Sequence, residues 1–199
     1  MEAALRRAHV LEAAAAEFAE KGFHGAQVGE IAARAEVSLG TVYSMFEAKE
    51  GLFQAVIEDV AESMRETVQA KVESIPEPRE RLLGLIDSLF ACFSENQDLL
   101  RIYAGATHGL PWRIRQTMGD RTQAIFAGFT EWVRELTAEA TAAGPLDDLD
   151  ADALALTLIG SVTTAAAAAA EGTSQQPLES LARDVRRIFC RILGEGVAS

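Results

Sequence analysis

Apolar residues recur at three- and four-residue spacing along almost the whole chain, and no segment alternates with period two. That periodicity builds amphipathic helices and leaves no half-buried strand, so the chain reads as all-α. The first helical pattern runs from about Glu2 to Lys21, with Leu11, Ala15 and Phe18 on one face and Gly22 as a natural stop. A short pattern follows from about Gln27 to Ala35. Ser38, a good N-cap, opens another that ends near Phe46. Lys49 begins a long fourth helix with Phe53, Ile57, Val60, Met64 and Val68 as its stripe. Ile75-Pro76-Glu77-Pro78 breaks it, because proline neither donates to a helix nor tolerates one before it. The expected organisation is a three-helix head over residues 1–48, a connecting helix over 49–75 and a larger bundle over 76–199. Within the bundle, the patterns cover Leu82 to Phe93, Asn96 to Thr107, Trp112 to Ala142, Asp150 to about Glu171, and Leu178 to Leu193.

Composition narrows the function. The chain has 199 residues, of which 49% are hydrophobic, and a net charge of −12. An acidic surface is repelled by phosphate, so any nucleic-acid contact must come from a local face. Cys92 and Cys190 lie far apart in apolar helical runs and read as buried, reduced thiols of a cytoplasmic protein. The N-terminus carries acids throughout and does not read as a signal peptide. No stretch reads as a bilayer span; the nearest, Ala151 to Ala170, is interrupted by Asp152, Gly160 and several Ser and Thr. Only His9, His24 and His108 are present, and there is no metal-ligand spacing, nucleophile elbow or glycine-rich phosphate loop. Neither an enzyme nor a bound cofactor is expected.

Two short helices joined by a tight turn are what a helix-turn-helix needs. Val28, Ile31, Ala32, Val37, Val42 and Phe46 fill the inside of that corner. Leu39, Gly40, Thr41, Ser44 and Met45 are left on or near the outer face, where short side chains let the backbone approach base edges. Tyr43 either offers its hydroxyl to a phosphate or packs half-buried. Lys49 lies at the next helix start, where amide groups also favour an anion.

The run EKGFHGAQVGEIAARAEVSLGTVYSMFEAKEGLF, within a match from about Leu5 to Ile57, resembles the DNA-binding segment of the TetR family of bacterial transcriptional regulators. The matching pieces are Phe18…Lys21-Gly22-Phe23, Ile31-Ala32, Val37-Ser38, Gly40-Thr41-Val42-Tyr43, and Phe46…Lys49-Glu50…Leu52-Phe53. The resemblance implies double-stranded operator DNA as partner, with Gln27, Ser38, Leu39, Gly40, Thr41, Tyr43, Ser44, Met45 and Lys49 at its surface. It also implies a helical ligand-binding and dimerisation domain after Pro78. The chain departs from the family's pattern at three positions. Gln27 stands where Ser or Thr is frequent, Glu36 where Gly is frequent in the turn, and Leu39 where a Lys or Arg is common. From Met1 to Glu50 acids outnumber bases, but residues 37–46 carry no acid. The expected binding therefore depends on close fit, base contacts and a dimer rather than on many phosphates.

In the bundle, aromatic and soft residues suit an apolar pocket, against the alternative of a packed core. Phe90, Phe93, Trp112, Met118, Phe126 and Phe129 are its expected walls, with Tyr103, Thr107, His108 and Gln123 as polar handles. Leu154, Leu158 and Val162, with Leu181, Val185, Ile188, Phe189 and Ile192, suit a four-helix homodimer interface or an intrachain core. The resulting reading is a ligand-responsive regulator, a repressor released by a small, mostly apolar effector. Its rival is a helical small-molecule-binding protein whose head is silent toward DNA.

Overall fold

The computed structural model describes residues 2–95, 97, 100–102, 104, 119–142 and 149–194. Among them there are helices and no strand. The helices are α1 (Glu2–Gly25), α2 (Val28–Arg34), α3 (Leu39–Phe46), α4 (Lys49–Glu73), α5 (Pro78–Glu95), α6 (Asp120–Ala142), α7 (Ala151–Ala170) and α8 (Leu178–Ile192). Residues 97, 100–102 and 104 are also helical. The remainder of the expected 96–107 helix, and residues 112–118 of the helix expected to end at Ala142, lie outside the described residues.

Local chemistry sets the boundaries. Gly22 takes φ +67° and breaks α1, which resumes for one turn as far as Gly25. The Ser38 hydroxyl accepts the Thr41 amide at 3.0 Å and starts α3, and Asp150 Oδ1 accepts the Ala153 amide at 2.8 Å and starts α7. Arg81 clips the proline break: its Nε donates to the Ile75 carbonyl at 2.7 Å and its Nη1 pairs with Glu139 of α6 at 2.6 Å.

Two apolar clusters form. The head core gathers Val10, Leu11, Phe18, Ile31, Val42 and Phe46, among others. The bundle core gathers residues of α5 to α8, including Leu85, Ile86, Phe93, Leu158 and Phe189. Helix α4 belongs to both, giving Leu52, Val56 and Ile57 to the head and Met64, Val68 and Val72 to the bundle. Its buried stripe is broader than the sequence suggests. Phe53 and Val60 are only partly buried, at the edge of the stripe formed by Leu52, Val56, Ile57, Ala61 and Met64, and Phe53 meets the Phe18 ring edge-on at 4.9 Å. Residues 100–102 also bridge the clusters: Leu100 joins the bundle core and Ile102 the head core.

Two expectations for the last helices change. Helix α7 is, by length and composition, apolar enough to cross a membrane, with a mean hydropathy of 1.7. The hydroxyls that seemed to interrupt it bond back to carbonyls of their own helix, Thr157 to Ala153 and Ser161 to Thr157, both at 2.7 Å. Only 33% of that stretch is buried. In addition, Leu154, Leu158, Val162, Val185 and Phe189 face inward and are buried within the chain. They pack the bundle core and are not on its surface. The outward apolar residues of the pair are Leu156 and Ile188, each 55% exposed, with Leu181 and Ile192 partly buried between the two faces. Cys92 and Cys190 are buried and form no disulfide with each other.

Candidate nucleic-acid interface and effector cavity

Helix α3 is held by its inner side, with Val42 and Phe46 buried. Its outer side carries Leu39, 46% exposed, and Tyr43, 44% exposed. Tyr43 is therefore a surface residue rather than a core one. Ser38, Gly40 and Ser44 are exposed and Thr41 is partly exposed. The Ser38 and Thr41 hydroxyls bond each other at 2.8 Å, and Ser44 Oγ donates to the Thr41 carbonyl at 2.7 Å, leaving oxygen lone pairs outward. Met45 is different: it packs partly buried against the head core, so most of its surface is turned away from a groove. A Cβ on Gly40 would meet nothing closer than Ser38 Oγ at 3.8 Å. No internal packing requires a glycine there.

Lys49 sits between the head helices. Its Nζ donates to the His24 carbonyl at 3.4 Å and lies 4.9 Å from the Phe23 ring centre. An ammonium has three donors, so the carbonyl contact fixes its position without exhausting it. Gln27 is the N-cap of α2, but its side chain caps nothing. Its backbone amide instead donates to Glu17 Oε1 at 3.3 Å. Glu17 also receives Lys21 Nζ at 2.8 Å and has Arg34 at 3.8 Å. Burial pushes the Glu17 carboxyl up, but the Lys21 ammonium, the Gln27 amide and Arg34 outweigh it, and the group lies below the ordinary carboxylate range.

The turn from α2 to α3 shows the consequence of Glu36. Val37 N–H bonds the Ala32 carbonyl at 2.9 Å and Glu36 N–H the Ala33 carbonyl at 3.2 Å. This is a Schellman C-cap, which puts Glu36 at φ +54°. A non-glycine residue there carries a strain of roughly 1–2 kcal/mol. Glycine would relieve it at an unfolded-state cost of about 0.4–1 kcal/mol. Glu36→Gly is expected to raise stability by about 1 kcal/mol, read as a higher urea midpoint at unchanged slope. An unchanged or lower midpoint would mean the turn is not strained.

A cavity of about 690 Å³ lies among α4, α5, α6 and α7. Its walls are largely apolar, including Met64, Phe93, Phe126, Phe129 and Ile159. Of the expected pocket residues, Phe93, Gln123, Phe126 and Phe129 line it. Phe90 does not; it is buried in the bundle core, on another side of α5. Tyr103, Thr107, His108, Trp112 and Met118 lie outside the described residues. Sequence reasoning missed the walls given by α4 and α7, Met64, Arg65, Ile159 and Gly160 among them, because those helices were read as lever and interface. It also missed Arg134. That guanidinium reaches Glu131 at 3.0 Å and also contacts Asp152 of α7. Arg65 pairs with Glu62 at 2.6 Å. Among the described residues, no group of three His, Cys, Asp or Glu side chains is placed to hold a metal.

This head has relatives. The family described as bacterial regulatory proteins, tetR family, matches residues 10–56, from the core of α1 to the middle of the head-facing half of α4. That match places the likeness to the TetR family in the head. The regulator BetI of Escherichia coli is 31% identical over 88 residues, 43% of this chain. The chain spans about half the length of the curated relatives it matches, 45% in that case. Solved TetR-like structures extend the likeness of fold to the bundle. The transcriptional regulator FadR of Bacillus subtilis, in complex with stearoyl-CoA, superposes with a TM-score of 0.75 at 20% identity, covering 91% of this chain and 96% of that one. AibR, in complex with isovaleryl coenzyme A and operator DNA, gives 0.72 at 18% identity, covering 92% and 97%. BetI and this FadR are described as transcriptional regulators.

Proposed function

We propose that this chain is a ligand-responsive, TetR-family transcriptional repressor of the cytoplasm, working as a homodimer on a two-fold operator. The observation that carries the reading is the double membership of α4. One rigid helix supplies Leu52, Val56 and Ile57 to the head core and Ala61, Met64 and Arg65 to the cavity wall. A molecule that displaces α4 at the cavity therefore shifts the head as well. Ligand and DNA then favour different conformers, which is the thermodynamic requirement for release.

The cavity favours an effector with a long apolar part. FadR and AibR are similar folds described with acyl-CoA molecules, so an acyl thioester is the first class to try. Its chain would lie among Met64, Phe93, Phe126 and Ile159. Arg65 and Arg134 would meet its polar end after exchanging a carboxylate partner. Dimerisation is assigned to the outward faces of α7 and α8, where Leu156 and Ile188 are large apolar side chains left exposed and a second copy would cover them.

The test is a gel shift on the DNA upstream of the protein's own gene, over a salt series, with stearoyl-CoA or isovaleryl-CoA added. Specific binding that Tyr43→Ala abolishes is expected, with release by one of the thioesters. Gly40→Ala separates fit from stability. A methyl group in that open helical position is expected to raise stability by up to about 1 kcal/mol. It should also lower operator affinity about tenfold by holding the helix off the groove. Absence of a shift at low salt would favour the DNA-silent binding protein.

A further inference from the structure

Among the described residues of the head, one charged side chain is buried, and the DNA-contact reading does not use it. Glu17, at 1% exposure, is buried on the inner side of α1. Burying a carboxylate is costly unless its oxygens are occupied, and here they are. Oε1 accepts Lys21 Nζ and the Gln27 amide, and Oε2 faces Arg34. These partners come from three places: Lys21 from the end of α1, Gln27 from the cap of α2, and Arg34 from the last turn of α2. Arg34 is held again by Glu20 of α1 at 3.2 Å.

Helix α2 has no side-chain N-cap of its own. In a capping box, the third helical residue reaches back to the amide of the cap residue. Glu30 occupies that position but is exposed, and the Gln27 amide goes to Glu17 instead. We propose that Glu17 is a positioning residue of the head, its buried carboxylate standing in for the missing cap and fixing both ends of α2 against α1. Helix α3 follows α2 through the strained Glu36 turn, so whatever fixes α2 aims α3. The role is orientation rather than stability. Lys21 and Arg34 are substantially exposed and remain hydrated if the carboxylate is removed. Removing one partner of an ion pair is strongly destabilising when it leaves the other charge buried, and here both remaining charges face solvent.

The experiment compares Glu17→Met, which fills the slot without an acceptor, with Glu17→Gln, which keeps one. Single-residue amide exchange is read by NMR without DNA, and thermal midpoint and DNA affinity are measured on the same full chains. Glu17→Met should exchange the Gln27 amide at least about tenfold faster and bind DNA about tenfold more weakly, with its midpoint held or raised. Glu17→Gln should stay within about threefold of the wild type on both counts. An unchanged Gln27 amide in Glu17→Met overturns the proposal. So does an affinity that is unaffected or that falls only as far as the midpoint does. The affinity arm rests on the DNA-binding reading. If the wild type binds no DNA, that reading fails by itself and the Gln27 amide decides this one. If Glu17→Met does not fold, slow Gln27 exchange retained in Glu17→Gln supports the acceptor role, and fast exchange there overturns it.

Discussion

Replacing Ile102 by alanine is expected to cost about 2–5 kcal/mol, the range for truncating a fully packed isoleucine, and to cost it in the head. By position in the chain this is a bundle residue, well past the proline break. Yet it is 4% exposed and belongs to the cluster of Val10, Phe18, Val56 and Ile57. Leu100, two residues earlier, is buried in the bundle core. Residues two apart on a helix point to nearly opposite sides, so this turn is inserted between the two cores with one side chain in each. Ile102 is thus a second connection between head and bundle, beside α4. Amide exchange should rise mainly in α1 and the first half of α4 in Ile102→Ala, and mainly in α5 to α8 in Leu100→Ala. Ile102→Val should cost only about 0.5–1.5 kcal/mol. A loss below 1 kcal/mol in Ile102→Ala, or a response confined to the bundle, would remove that connection.

Much of the architecture was legible because it rests on local rules. Ser38 and Asp150 start helices as caps, Gly22 and the Ile75–Pro78 run break them, and the inward residues of the helix-turn-helix follow the helical period. The misreadings share a cause: periodicity reports which face is apolar and not what covers it. The stripe of Leu158, Val162 and Phe189 looked like a dimer face and is the chain's own core. Helix α4 showed one stripe to the eye and packs against α1, α3, α5 and α6. The cavity was half legible, since aromatic residues of α5 and α6 mark its walls. Arg65 and Arg134 look in sequence like ordinary surface partners of Glu62 and Glu131. Glu17 was counted as one more acid, because a single charge inside an alanine-rich helix gives no sign of burial. The departures at Gln27 and Glu36 were visible in the sequence, but their structural answer, a carboxylate from α1 and a left-handed glutamate, was not.

Gly51 is the residue whose importance sequence reasoning passed over, and Gly51→Ala is expected to damage the head more than any surface change. A Cβ there would come 2.7 Å from the Phe46 carbonyl oxygen, against about 3.3–3.6 Å for a favourable carbon–oxygen approach. The obstacle is backbone, so no rotamer change relieves it. Phe46 ends α3, and only Glu47 and Ala48 separate it from α4. Glu47 is already at φ +53°, and the Ala48 amide bonds back to the same Phe46 carbonyl. The turn has no slack, and an added methyl must push the end of α3 away from α4. Overpacking of this kind costs about 1–3 kcal/mol. Because the shift is applied to the proposed recognition helix itself, operator affinity should fall at least about tenfold, roughly 1.4 kcal/mol. Gly29→Ala is the control, a helical glycine with nothing within 4 Å of the added carbon. It should stabilise by up to about 1 kcal/mol and leave affinity intact. If both substitutions stabilise alike, α3 and α4 do not approach as closely as this turn requires, and the rigid link from cavity to recognition helix fails at its last joint.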